Sequence, residues 1–292
     1  MALNGEKIFE RYVLLDRIGR GGMGEVYKAY DERLRCDVAL KFLPESSRSD
    51  DKARARLLRE ARALARINHP SICNVRDFLD HDGTDILVME FVDGAPLNRR
   101  VSDGPFSERD VVRLGIQLAQ GLGAAHDAGV LHLDLKPANI AILADGRLKI
   151  LDFGLAKMTK GDDISKSIST TDSVTVKGTL PYIAPEILTG GKPDVRSDLY
   201  SAGCVLYEMS TGRRAYPEDD GIKLWHAILN VDPAPPRQIH PLMSARLERI
   251  VLCCMAKEPS RRYANTRELV DALSSVEARG LAALIRRIWA RP

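Results

Sequence analysis

The chain has 292 residues, 45% of them hydrophobic and 28% charged, with a formal net charge of +3. That size allows one large domain or two lobes around one cleft, and the balance is that of an ordinary globular protein. So small a charge does not by itself imply a nucleic-acid partner, and no apolar run approaches the length that spans a bilayer.

The five cysteines, Cys36, Cys73, Cys204, Cys253 and Cys254, show no metal-binding or redox spacing. They read as reduced, buried thiols of a cytoplasmic protein. The first six residues lack a basic stretch followed by an apolar core, so no signal peptide is expected.

Residues 12 to 43 alternate as strands. Tyr12–Ile18 leads into Gly19-Arg20-Gly21-Gly22-Met23-Gly24, and Glu25–Tyr30 resumes as a strand. This G-x-G-x-x-G spacing is shared with dinucleotide-binding folds, which open a helix at the glycines to hold the pyrophosphate. Here β-type residues follow, so the spacing reads as a hairpin whose backbone N–H groups close over phosphates. No Gly-Lys-Ser or Gly-Lys-Thr suggests a P-loop.

In the next strand, Asp37–Leu43, period two places Val38, Leu40 and Phe42 on one face and Ala39, Lys41 and Leu43 on the other. Lys41 is flanked by apolar residues, so its charge needs a fixed partner. A helix is predicted from Asp50 to Arg66, with Leu57, Ala61, Leu64 and Ala65 as its apolar stripe. Glu60 lies on that stripe, where a carboxylate must be paired. Arg54, Arg56, Arg59, Arg62 and Arg66 read as its wet side. Strands Ile72–Leu79 and Ile86–Phe91 flank a turn at His81-Asp82-Gly83. A long helix follows from Ser107 to Gly129, capped by Ser107-Glu108-Arg109-Asp110, with Asp110 in place of the usual Glu or Gln.

The chemistry concentrates in His132-Leu133-Asp134-Leu135-Lys136-Pro137-Ala138-Asn139 and, shortly after, Asp152-Phe153-Gly154. Asp134, Asn139 and Asp152 are oxygen donors. Such a cluster asks for a hard cation such as Mg²⁺, which usually arrives with substrate phosphates. Lys136 is placed to steady a phosphoryl group in flight. Asp-Phe-Gly alone is mostly a turn. Both pieces in order, with a short strand pair between them, are far more specific. On these motifs, together with the glycine loop and Val38-Ala39-Leu40-Lys41, nearly the whole chain resembles a bacterial-type Ser/Thr protein kinase.

The resemblance implies an α+β, bilobal protein-kinase-like fold. A small, mainly β N-lobe with one key helix would bind nucleotide (residues 1–92), and a larger, mainly α C-lobe would carry catalysis and the substrate platform (93–275). A basic amphipathic tail would follow (276–292). The implied activity is transfer of the γ-phosphoryl group of ATP to Ser/Thr hydroxyls of proteins, with Mg²⁺ or Mn²⁺. Asp134 would orient the attacking hydroxyl, Lys136 would stabilise the transferred group, Lys41 would hold phosphates while paired with Glu60, and Asn139 and Asp152 would hold the metal. Around the nucleotide the resemblance places Ile18, Gly19, Gly21, Gly24, Val26 and Ala39, with Met89 behind the adenine and the backbones of Glu90 and Val92 at its edge. Ala141 is the floor, where the family usually carries a larger apolar residue, so a roomier floor is expected. Asp93 would reach the ribose. His132 would pack under Phe153, and His69 and His126 would be structural. Thr179 with Lys136 matches the Ser/Thr-directed pattern. Glu186 would pair with Arg262, and Asp198 would cap the helix Leu199–Met209 and anchor the catalytic loop.

One departure stands out: the family's usual His-Arg-Asp reads His132-Leu133-Asp134, so the arginine that meets an activation-segment phosphate is missing. Lys157 or Lys177 would have to replace it, or the loop would hold its active shape unmodified. The hydroxyl-rich stretch between Gly154 and Ala184 offers Thr171 and Ser173 as autophosphorylation positions, with self-association for reaction in trans. Gly280–Trp289 has apolar residues at helical spacing and arginines nearby. Packing at the terminus is the favoured reading, and contact with a partner or an anionic membrane, as in a longer receptor kinase, is the second. Against the main reading stand a pseudokinase-like nucleotide-binding regulatory module, for which Leu133 speaks, and a metabolite kinase, against which the platform ending in Ala184-Pro185-Glu186 speaks.

Overall fold

The computed structural model describes residues 7–21, 24–44, 51–81, 83–153 and 178–289, with side chains described except at 51–53, 56 and 278–289. Strands β1 (Lys7–Ile8), β2 (Tyr12–Gly21), β3 (Gly24–Asp31), β4 (Cys36–Phe42), β5 (Val75–His81) and β6 (Thr84–Glu90) form one antiparallel sheet. Their order is β1-β2-β3-β4-β6-β5, and helix α1 (Asp51–Ala65) connects β4 to β5. The alternation read from β4 decides what each face meets. Val38 and Leu40 join Tyr12, Leu14, Tyr27, Ile86 and Val88 in a small outer core. Ala39 and Leu43, on the opposite face, join Leu87, Met89 and the stripe Leu57, Ala61 and Leu64 of α1 in the main core. The tight β2–β3 hairpin needs glycine at its exit. Gly24 has φ 109°, and a Cβ there would overlap the Phe42 carbonyl oxygen.

The second half hangs on helices α2 (Leu97–Ser102), α3 (Glu108–Asp127), α4 (Val195–Thr211), α5 (Gly221–Asn230), α6 (Ala245–Cys254) and α7 (Thr266–Trp289). A three-stranded antiparallel sheet, β7 (Gly94–Pro96), β8 (Ile140–Leu143) and β9 (Leu148–Ile150), lies at its upper edge. A parallel bridge from Ile72 to Ile150 ties the segment after α1 to β9. α3 starts as its sequence predicts: the Ser107 hydroxyl accepts the Asp110 N–H at 3.2 Å and donates to the Asp110 carboxylate at 2.7 Å.

Helix α4 is buried on nearly every side, which makes it the spine of this half. It begins earlier than its apolar run suggested. Asp194, not Asp198, is the cap, and it forms a reciprocal capping box with Ser197. Asp198 lies inside the first turn, where its carboxylate is free to serve another segment. The helix ends at Gly212, whose φ of 70° is a left-handed stop. α7 runs through residue 276 as one continuous helix.

Arg262 locks the start of the 185–188 turn to this frame. Its guanidinium is fully buried and uses every N–H it has. Nη1 donates to Glu186 Oε1 at 2.8 Å and Arg196 O at 2.9 Å, and Nη2 donates to Glu186 Oε2 at 2.7 Å and Lys257 O at 3.0 Å. Nε donates to Ala256 O at 2.8 Å. Burial alone would push the Glu186 carboxyl up, but the Arg262 guanidinium outweighs it and holds the group below its ordinary 4.5. A depressed carboxyl stabilises the fold above its unfolded pKa and loses that contribution as pH falls through the folded one. Arg262→Met should therefore lower unfolding free energy by about 3–5 kcal/mol at neutral pH, because Glu186 is left buried and unpaired. In urea titrations, the gap to the wild type should narrow on acidification below 4.5.

Candidate active site

The catalytic loop is shaped from beneath. After α3, Gly129 turns the chain with φ 76°, and His132 and Leu133 arrive over the first turn of α4. The buried Asp198 carboxylate accepts the His132 N–H and the Leu133 N–H, each at 2.8 Å, and meets His126 Nε2 at 2.8 Å. This grip holds Leu133 at φ 56°, a conformation a bulky residue keeps only when its surroundings over-determine it. Asp198 thus anchors the loop as expected, although it does not cap the helix.

His132 is fully buried and neutral. Its Nδ1 accepts the Asp134 N–H at 3.3 Å while Nε2 faces the Leu151 carbonyl at 3.0 Å, which assigns the proton to Nε2. Burial keeps its pKa below the usual imidazole range. Its ring stacks on Phe153 with centroids 4.7 Å apart, the core role expected of it.

The Asn139 and Lys136 side chains converge on Asp134. Asn139 Nδ2 donates to Asp134 Oδ2 and to the Asp134 carbonyl, both at 2.9 Å. Lys136 Nζ lies 3.0 Å from Asp134 Oδ2 and donates to Thr179 Oγ1 at 2.8 Å. Both Asn139 donors are committed, so its carbonyl oxygen is what it can offer a cation. Asp152, at φ 49°, follows β9 and places Oδ1 2.8 Å from Lys41 Nζ. The structure therefore brings Asp134, Lys136, Asn139, Asp152 and Lys41 into one cleft between the two sheets.

Glu60 departs from its expected place. Among the described residues, the ion pair of Lys41 is with Asp152 rather than Glu60, which is half-buried on α1 and engaged in an interaction of its own. The Lys41 ammonium is buried and needs a counter-charge, which the Asp152 carboxylate supplies.

On the six-stranded sheet, Ala39 and Met89 are cross-strand neighbours, both buried, with Val26 opposite Lys41 on β3. Gly19 and Gly21 lie at the hairpin tip, and Ile18 is exposed beside them. Glu90 N–H donates to Asn74 O at 2.9 Å, and its carbonyl accepts the Cys73 thiol at 3.4 Å. Among the described residues, no hydrogen bond engages the Val92 backbone. Ala141 is buried on β8, close beside Gly94. Thr171, Ser173, Lys157 and Lys177 lie outside the described residues.

A family model described as "protein kinase domain" matches residues 12–273. The chain belongs to the protein kinase family. This kinase domain is 39% identical over 265 residues to serine/threonine-protein kinase PknB of Mycobacterium leprae, covering 89% of this chain and 42% of that protein. It is 36% identical over 280 residues to a probable serine/threonine-protein kinase of Streptomyces coelicolor, covering 94% of this chain and 41% of that one. The chain therefore spans about two fifths of the length of these relatives. The crystal structure of the Mycobacterium tuberculosis PknI kinase domain superposes with a TM-score of 0.73 at 27% identity, covering 94% of this chain and 99% of that one.

Sequence reasoning missed a buried pair on β9 of the kinase domain. Lys149 is almost fully buried on β9, with Nζ 2.8 Å from Glu90 Oε2 and 3.1 Å from the Ile72 carbonyl. The signal was present: a lysine between Leu148 and Ile150 in an apolar run, the same anomaly that drew notice to Lys41. Asp198→Asn should test the anchor beneath the loop. The amide cannot accept from all three donors, so at least one buried polar group loses its partner, at about 1–3 kcal/mol. Chemical denaturation should show that loss, and any turnover should fall with it.

Proposed function

We propose that this kinase domain transfers the γ-phosphoryl group of ATP to Ser/Thr hydroxyls of proteins. The observation that carries the reading is the convergence of Asp134, Lys136, Asn139, Asp152 and Lys41 in one cleft, with Lys136 bonded to Thr179 in the pattern of Ser/Thr-directed kinases. Asp134 Oδ2, already aimed by Asn139, receives a substrate hydroxyl and takes its proton as the oxygen attacks the terminal phosphorus. The bond to the β–γ bridging oxygen breaks and ADP leaves. Lys136 stabilises negative charge on the group in transit, and Lys41 turns from Asp152 to the nucleotide phosphates. The N–H groups of Gly19, Gly21 and Gly24 close over those phosphates, and the Glu90 carbonyl and Val92 N–H meet the adenine edge. Little covalent work falls to the protein, so these groups act by position and electrostatics.

The Asn139 carbonyl oxygen and the Asp152 carboxylate fit Mg²⁺ or Mn²⁺, hard cations that would neutralise phosphate charge and fix its geometry when bound. Two protein ligands suffice because substrate phosphates and water complete such a shell. Protein substrates, self-association for reaction in trans and contact of the tail with a membrane belong to the same proposal. Among the described residues, no helix is long and apolar enough to cross a bilayer.

The test is incubation with ATP and Mg²⁺, following label on the chain and on a generic basic protein. Asp134→Asn should lower transfer by about a hundredfold to a thousandfold. Nucleotide binding without turnover would replace the proposal with a pseudokinase, and turnover confined to small metabolites would replace its substrate class. Phosphopeptide mapping should place phosphate on the 154–177 segment, with Thr171 and Ser173 the expected positions. Leu133 offers no cation to receive that phosphate, so a loop that holds its active shape unmodified should keep its transfer rate after phosphatase treatment, whereas a fall in rate would assign the arginine's role to Lys157 or Lys177.

A further inference from the structure

Across β5 and β6, Asp80 and Asp85 stand directly opposite each other. Like charges in that register repel, and the Asp85 side chain is wholly buried. The relief comes from α1. Arg54 Nη2 lies 2.9 Å from Asp85 Oδ1 and 2.9 Å from Asp80 Oδ2, and its Nε is 3.3 Å from both Asp85 oxygens. The sequence pattern had placed Arg54 with the solvated arginines of α1; its planar fork instead spans two acids of the neighbouring sheet.

Asp85 also touches the strand that carries Lys41. Its backbone carbonyl accepts the Leu43 N–H at 2.9 Å, two residues past Lys41. One residue therefore joins the end of β4 to α1, which carries Glu60 roughly 9 Å further along the helix axis from Arg54. Further along, α1 packs Leu57, Ala61 and Leu64 into the main core. An open groove of about 310 Å³ lies between this half and β5, lined by Leu58, Ala61, Arg62, Ala65, Val75 and Phe78. The Arg54 contacts therefore add a polar tie of the helix start to β5 and β6.

We propose that Arg54 is the positioning residue for the approach of Glu60 to Lys41: by gripping Asp80 and Asp85 it sets where α1 stands against β4. This rests on the kinase reading above, together with the expected pairing of Glu60 with Lys41 once Lys41 holds nucleotide phosphates. The Arg54 grip is already in place while Lys41 is on Asp152.

A double-mutant cycle tests it, using wild type, Arg54→Met, Glu60→Gln and the combination, with kcat, KM for ATP and Tm measured on each. Arg54→Met should lower kcat about tenfold to a hundredfold, the scale of a misplaced catalytic group. In the Glu60→Gln background the same change should cost less than about twofold, because residues acting through one another are not additive. Equal losses in both backgrounds would overturn the proposal. Adding Asp85→Asn to Arg54→Met removes the buried charge that Arg54 faces, so Tm should recover while kcat stays low. Recovery of kcat together with Tm would make Arg54 merely structural and overturn the proposal. If the wild type transfers no phosphate, the kinase reading fails on its own. The cycle is then read on the ATP dissociation constant by calorimetry, where non-additivity supports the Arg54 role and additivity overturns it.

Discussion

The buried carboxylate of Asp198 is the contact on which the catalytic cleft depends. It sits in the first turn of a helix enclosed on nearly every side, and it accepts two consecutive backbone N–H groups of the loop above. A wholly buried charge is tolerated only when several donors replace the water it has lost. Here those donors are the loop itself, plus His126. The carboxylate gains its partners only if the loop takes this shape, and the loop keeps its left-handed Leu133 only if the carboxylate is there. That mutual requirement sets the position of Asp134, and through Asn139 and Lys136 the rest of the loop.

A second constraint governs the gap between the two halves. Three lysines lie in or beside the cleft, each against a carboxylate: Lys41 with Asp152, Lys136 with Asp134 and Lys149 with Glu90. The third pair joins the two sheets, and the first runs from β4 to the segment just after β9. In a poorly solvated cleft such pairs are both strong and demanding, since either partner left alone would be costly. The halves are therefore coupled by charge as well as by the Ile72–Ile150 bridge and the shared apolar core. A nucleotide's phosphates would meet cations already present in the site, with Lys41 exchanging Asp152 for phosphate.

Much of this was legible in the residues because the interactions are local or periodic. The two faces of β4, the Ser107 cap and the glycine hairpin follow from alternation, capping chemistry and backbone freedom within a few residues. The Glu186–Arg262 pair and the His132–Phe153 stack were legible only through family resemblance, since 76 and 21 positions separate the partners. Where two local readings were equally good, the residues alone gave the wrong one. Asp198 was expected at the start of α4, but the cap is Asp194, whose backbone leaves the helix. Arg54 looks like its solvated neighbours until β5 and β6 bring Asp80 and Asp85 beneath it.

By itself the sequence determined the strands, the helices, the order of the motifs and the identity of the groups that meet in the cleft. These depend on periodicity and on residue chemistry, which are properties of short stretches. Only the tertiary structure decided which charge pairs with which. Lys41 has two acids offered to it from distant parts of the chain and takes Asp152, and Lys149 takes Glu90 across the cleft. Coulomb attraction and desolvation depend on distances and burial between segments far apart in sequence, and those are fixed only when the two halves close on one another.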